Sequence, residues 1–240
     1  MNQELETRTK LDQVVADHFV SKGRRLYHPI LIDGYDQESM IVDKAGFMAK
    51  WEAIRDNLTS TLGQSLEGRR ILDVGANSGF FSYSLANMGA EVVSFEPDTG
   101  HSSIAKCVGE QHPNAKVTWN ETPFEIANVG ETRFDATLML SVFQWMAKGG
   151  ERLEEATNEL KHISTISDTL FFELGYNAGD SCLTTEKKDH YAELIRFLNE
   201  NTTYTKFELI KKTNLYTYHG IRRIRLLWER RHRYLIHCSR

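Results

Sequence analysis

Cysteine is scarce in this 240-residue chain, and its three copies, Cys107, Cys182 and Cys238, lie far apart and form no C-x-x-C pair. An odd number at such spacing implies neither a disulfide framework nor a zinc ribbon, so all three read as small core residues. The nine histidines form no H-x-x-x-H or H-x-H pattern, and no metal is assigned. Also missing is any apolar run approaching the ~18 residues needed to cross a bilayer. The opening MNQELETRTK lacks a basic n-region and an apolar h-region, which predicts a cytoplasmic protein with no membrane span. Repeats and low-complexity tracts are absent. A net charge of −4 argues against a protein built to wrap nucleic acid.

What is present is an ordinary globular balance, with 40% hydrophobic and 26% charged residues. The length suits one large α/β domain and is too short for two plus a linker. The most informative stretch is ILDVGANSGFF, residues 71–81, where an apolar strand runs through a glycine-punctuated turn into a helix. Asp73 closes the strand, and Gly75 and Gly79 bracket a turn that needs positive φ and close approach of a ligand. Downstream, VVSF reads as a second strand ending in Glu96, a carboxylate suited to accepting both hydroxyl protons of a ribose. The spacing is not the dinucleotide fingerprint, because Asn77 stands where a pyrophosphate demands bare backbone. The pattern D-x-G-x-x-x-G fits a nucleoside whose amino-acid part lies against the turn and Asp73.

These residues resemble the class I S-adenosylmethionine (SAM)-dependent methyltransferases, whose first motif is similar to LDVGANSGFFS and whose second is similar to VVSFEPD. The local form, with Asn in the turn and E-P-D after the second strand, looks like that of methyltransferases acting on sugars, glycan ends and polyketides. The resemblance implies a Rossmann-like, doubly wound sheet of seven mostly parallel strands with an antiparallel pair at its C-terminal edge. It implies SAM as cofactor and S-adenosylhomocysteine as product. By the same resemblance, Asp73, Gly75, Asn77, Gly79 and Phe80 surround the methionine part, and Glu96, Pro97 and Asp98 flank the ribose and adenine. Glu121, Thr122 and Phe124 then lie in the loop facing adenine, where Glu121 or a backbone carbonyl accepts from the amine and Phe124 stacks on the ring, unless Glu121 is solvated and Phe124 is core. Ser141 falls at the carboxyl end of the fourth strand, followed by Phe143, Gln144 and Trp145, the last either a packing residue or a platform for a sugar face.

Along the chain, apolar spacing predicts an amphipathic helix from Glu4 to about Lys22 and a second carrying Phe47, Trp51, Ile54, Leu58 and Leu62. Residues 1–66 are therefore expected to be a helical extension covering the cleft, and 67–240 the cofactor domain. Residues 24–43 read as irregular. The core alternates strands at 70–74, 91–95, 116–119, 136–140 and 169–174 with helices at 79–88 and 101–111, which calls for a parallel sheet with right-handed crossovers. A helix at 191–199 and strands at 207–211 and 234–238 complete it.

Methyl transfer is an in-line displacement that rests largely on positioning. A sugar hydroxyl also profits from a general base, and the candidates are Glu173, His219 and His28. The acceptor expected from the resemblance is the oxygen of a carbohydrate or polysaccharide, with an RNA or small-metabolite methyltransferase as the second reading and a noncatalytic scaffold as the third. Arg222, Arg223, Arg225, Arg230, Arg231 and Arg233 could bind an acceptor phosphate or line a solvated strand face.

Overall fold

The strand carrying ILDV, β1 (Arg70–Val74), is the centre of a seven-stranded sheet. It pairs in parallel with β2 (Glu91–Phe95) on one side and β4 (Ala136–Leu140) on the other. Outside these lie β3 (Lys116–Asn120) and β5 (Thr169–Glu173), also parallel. Strand β7 (His232–Ser239) is inserted antiparallel between β5 and β6 (Lys206–Asn214). The order is β3-β2-β1-β4-β5-β7-β6, the doubly wound, mostly parallel sheet with an antiparallel edge that the resemblance implies. This computed structural model describes residues 2–22, 26, 28–32, 44–174, 182–183, 191–214 and 232–240.

Every residue of β5 and all but one in each of β1 and β4 are buried or nearly so, as near-continuous apolar runs in a sheet covered on both faces require. Successive residues point to opposite faces. Leu72 and Val74 join a core with Met139, Phe143, Leu160 and Phe172, while Ile71 joins another with Ile54, Leu58, Phe81 and Leu138. The first core is covered by α7 (Leu153–Ile166) and α8 (Tyr191–Asn201), and the second by α2 (Lys44–Leu62) and α3 (Phe80–Asn87). Helix α1 (Asn2–Lys22) sets Leu11 and Val15 against Ile104 and Val108 of α4 (Thr99–Gln111).

The strands and most helices lie within a few residues of their sequence-predicted bounds. Three helices were not predicted: α5 (Ile126–Val129), α6 (Phe143–Met146) and α7. The first two are single turns without periodicity. Helix α7 had a legible signal, since Ala156, Leu160 and Ile163 make an apolar stripe behind Glu154 and Glu155 in the first turn. Of the 24–43 segment, residues 28–32 are irregular as expected. Among the described residues no helix is long and apolar enough to cross a membrane.

Leu160 is fully buried on the sheet-facing side of α7. Leu160→Ala is expected to cost about 2–5 kcal/mol through lost burial and a residual cavity. Urea unfolding followed by circular dichroism measures it.

Candidate active site

The strand order reverses between β1 and β4, and in such sheets the ligand crevice opens outside the carboxyl ends of the strands at that reversal. The turn after β1 holds Gly75 (φ 76°), Asn77 (φ 53°) and Gly79 (φ 82°), all in the left-handed region. Gly75 and Ala76 donate their N–H groups to the Phe95 carbonyl at 2.9 and 3.1 Å, strapping the turn to the end of β2. A Cβ on Gly75 would fall 2.5 Å from Val142 Cγ2, and one on Gly79 would fall 2.8 Å from the Tyr83 ring. Both glycines thus answer to the protein's own packing as well as to φ, a demand that the sequence reading assigned to ligand approach. Val142, in the turn after β4, packs against Gly75 at the point where the strand order reverses.

Glu96 is buried at the end of β2, and backbone groups fix its carboxylate. Asn77 N–H donates to Oε2 at 2.8 Å and Asp98 N–H donates to Oε1 at 2.9 Å. The remaining lone pairs can accept from a vicinal diol. Asp98 caps α4 by accepting from the N–H groups of Gly100 and His101. In the turn, Asn77 Oδ1 and the buried Ser78 Oγ have no hydrogen-bond partner. Buried polar atoms of this kind call for a ligand's complementary groups.

Asp73 is buried and accepts from Ser82 Oγ at 2.6 Å, which in turn accepts from Ser94 Oγ. Burial pushes its carboxyl up to about 7; the Ser82 bond opposes this, and the charge of Glu96 adds to it. A carboxylate so poised gains most from a cationic neighbour. Asp73, Asn77, Ser78 and Glu96 therefore fit a nucleoside carrying a positive charge and a ribose diol.

Across the crevice, Glu173 lies fully buried at the end of β5. Its Oε1 accepts from Lys50 Nζ at 3.3 Å and from Ser141 Oγ at 2.5 Å, and it lies 3.8 Å from Arg233 Nη1. Ser141 also donates its N–H to the Glu173 carbonyl and accepts from Arg233 at 3.3 Å. These bonds hold Ser141 at φ 56°. Burial would raise the Glu173 carboxyl, but Lys50, Arg233 and the two hydrogen bonds overcome it and hold the group below the usual carboxylate range. Glu173 is consequently a weak base with a fixed negative charge. Its Oε2 is buried and has no hydrogen-bond partner.

The other predicted residues separate. His28 is buried against Phe47 and Phe81, and burial, then the charges of Lys50 and His101, push its imidazole well below its ordinary value. Phe80 is packed edge-on against Phe47 and Trp51, so only its backbone belongs to the turn. Phe124 sits in the core edge-on to Phe95, Glu121 is exposed and paired with Lys106, and Thr122 and Pro97 are exposed. Of the two readings open for the adenine loop, this geometry is that of a core Phe124 and a solvated Glu121. His219 and all the C-terminal arginines except Arg233 lie outside the described residues. Lys50 was missed, although it stands in the apolar stripe between Phe47 and Ile54, where a lysine needs a partner. Gln144 is buried and donates to the Ser141 carbonyl, whereas Trp145 is 59% exposed.

Residues 72–165 match the sequence family described as a methyltransferase domain. Those residues carry a methyltransferase domain, and the sheet order and the site geometry above fit SAM as its cofactor. It is 33% identical over 129 residues to a ubiquinone biosynthesis O-methyltransferase of Azorhizobium caulinodans, covering 49% of this chain and 50% of that one. It is 28% identical over 142 residues to WbdD of Escherichia coli, an O-antigen chain terminator bifunctional methyltransferase/kinase, covering 58% of this chain and 20% of that one. The solved WbdD structure superposes with a TM-score of 0.69 at 18% identity over 95% of this chain and 46% of that chain. Magnesium protoporphyrin IX methyltransferase from Synechocystis PCC 6803, solved with SAM bound, superposes with a TM-score of 0.59 at 18% identity over 96% and 97%. The chain thus spans half or less of the length of these sequence relatives.

Two outcomes follow from the geometry. Gly75→Ala should lower the melting temperature, and adding Val142→Ala should recover part of the loss by removing the 2.5 Å collision; thermal melts of the single and double variants measure this. Asp73 retains its proton in the folded state up to about pH 7 but loses it near 4 when unfolded, so its contribution to stability falls as pH rises across that window. Asp73→Asn should remove that part of the pH dependence, read as unfolding midpoints of variant and parent between pH 5 and pH 8.

Proposed function

We propose that the protein transfers the SAM methyl group to an oxygen of a carbohydrate or polysaccharide acceptor. The observation that carries this reading is Trp145, exposed in the single turn α6 that follows Ser141 and the carboxyl end of β4. Tryptophan faces are amphipathic platforms, and a large apolar ring left in water at that end of the sheet suits a sugar's C–H face. The relative named as an O-antigen chain terminator supports the same class.

SAM, when bound, supplies an electrophilic methyl on a sulfonium sulfur. On the cofactor side, Glu96 accepts the ribose hydroxyls and Asp73 offers negative charge to the cationic methionine part, with Gly75, Asn77 and Gly79 shaping the turn. On the acceptor side, the buried Oε2 of Glu173, whose lone pairs are unused, accepts a hydrogen bond from the attacking hydroxyl as the acceptor enters and aims it at the methyl. The hydroxyl proton becomes strongly acidic as the new C–O bond forms, so a carboxylate with a depressed pKa suffices to receive it. Glu173 therefore orients first and takes the proton late, and His28 stays neutral.

A second reading, a small aromatic metabolite stacked on Trp145, is favoured by the ubiquinone biosynthesis relative. Acceptor competition separates the two. Incubation with labelled SAM should label glycan extracts and not quinone-type phenols; labelling of the phenols alone would select the second reading. Trp145→Ala should raise the acceptor KM about tenfold, in line with loss of a good stacking contact, and leave SAM affinity unchanged. Calorimetry in buffers of different ionisation enthalpy should show release of roughly half a proton per SAM bound at pH 7, since Asp73 must ionise to meet the cation.

A further inference from the structure

We propose that His18, Asp98 and His101 form a binding site for a divalent transition-metal ion of the zinc type, which fastens α1 to the start of α4 beside the ribose carboxylate. One ligand atom from each of the three side chains lies within 4.8 Å of the other two. They come from separate parts of the chain: His18 from α1, Asp98 from the cap of α4 and His101 from its first turn. His18 is buried, and its ring centroid lies 4.9 Å from that of His101. Two imidazoles held this close, one buried and one half-buried, beside a half-buried carboxylate form the ligand set that suits zinc and its neighbours.

Gly100 shows that the placement of His18 is built into the sequence. Its φ is not in the left-handed region, so the backbone makes no demand for glycine. A Cβ there would nevertheless fall 2.4 Å from His18 Nδ1 and 3.1 Å from Asp98 Oδ1. A side chain of any other residue would expel the imidazole from the cluster. Glycine in the first turn of α4 therefore keeps open the space the cluster uses.

The geometry needs only a small adjustment. Zn–N and Zn–O distances near 2.1 Å place tetrahedral ligand atoms about 3.4 Å apart, so from separations of up to 4.8 Å the cluster closes by at most about 1.4 Å through side-chain rotation. His101 Nδ1 already lies 3.9 Å from Asp98 Oδ1 and 3.8 Å from Glu96 Oε1. A water can complete four-coordination. Helices α1 and α4 already share apolar contacts and the Lys10–Glu110 ion pair, and an ion here adds a further link between the N-terminal helix and the start of α4.

The test uses the full chain freed of metal and SAM, titrated with Co²⁺ by visible absorption and with Zn²⁺ by calorimetry. One ion per chain is expected, with a tetrahedral-type cobalt spectrum and a higher melting temperature in zinc. His18→Ala, His101→Ala and Asp98→Asn should each weaken binding about tenfold or more. Asp98→Asn retains a good helix cap, so it removes a ligand without undoing α4. His162→Ala, a histidine that bonds the Gly130 carbonyl far along the sequence, should leave binding unchanged. Absence of stoichiometric cobalt binding, or binding indifferent to all three substitutions, would overturn the proposal. None of these readouts depends on methyl transfer, so they stand or fall apart from the acceptor assignment.

Discussion

One buried carboxylate ties together parts of the chain that are otherwise remote. Glu173 bonds Lys50 from the second helix and Ser141 from the turn after β4, and it attracts Arg233 of β7. A buried ion pair of this kind adds little net stability, yet removing one partner strands a charge and costs about 3–5 kcal/mol. Its value is specificity of arrangement. It sets α2 and the antiparallel edge against the ends of the central strands, and it keeps Ser141 in a conformation that a residue with a Cβ rarely adopts. Ser141 in turn positions Val142, which closes on Gly75 at the cofactor turn.

The crevice is consequently divided by charge. Asp73, Glu96 and Asp98 give the side at β1 and β2 an acidic character, matched to a ligand with a positive sulfur. Lys50 and Arg233 line the side at β4 and β5, with Glu173 between them. The same residue type therefore behaves in opposite ways within one crevice. Asp73, buried with no cation in contact among the described residues, is pushed up, whereas Glu173, buried between two cations, is pulled down.

Much of this arrangement is legible from local sequence. The β1 turn and Glu96 could be read because strand, glycine turn and terminal acid follow one another at fixed spacing, and the backbone N–H groups of Asn77 and Asp98 fix the acid at the end of β2. Lys50 and Arg233 escaped because their partner is remote in sequence and no periodicity links them. A lysine inside an apolar helical stripe was the one available sign. Helix α7 was passed over despite its stripe of Ala156, Leu160 and Ile163, and the parallel β4–β5 crossover itself requires an intervening element. The His18 cluster had no sequence motif at all, because one of its ligands comes from a helix that meets α4 only in three dimensions.

The central claim is that Glu96, held by the N–H groups of Asn77 and Asp98, grips the ribose of SAM. Calorimetric titration of SAM into the parent and into Glu96→Ala tests it directly. The account predicts clear binding to the parent and an affinity about tenfold to a hundredfold lower in the variant, with the fold intact by circular dichroism. Equal affinities, or a parent that gives no heat with SAM, would contradict it.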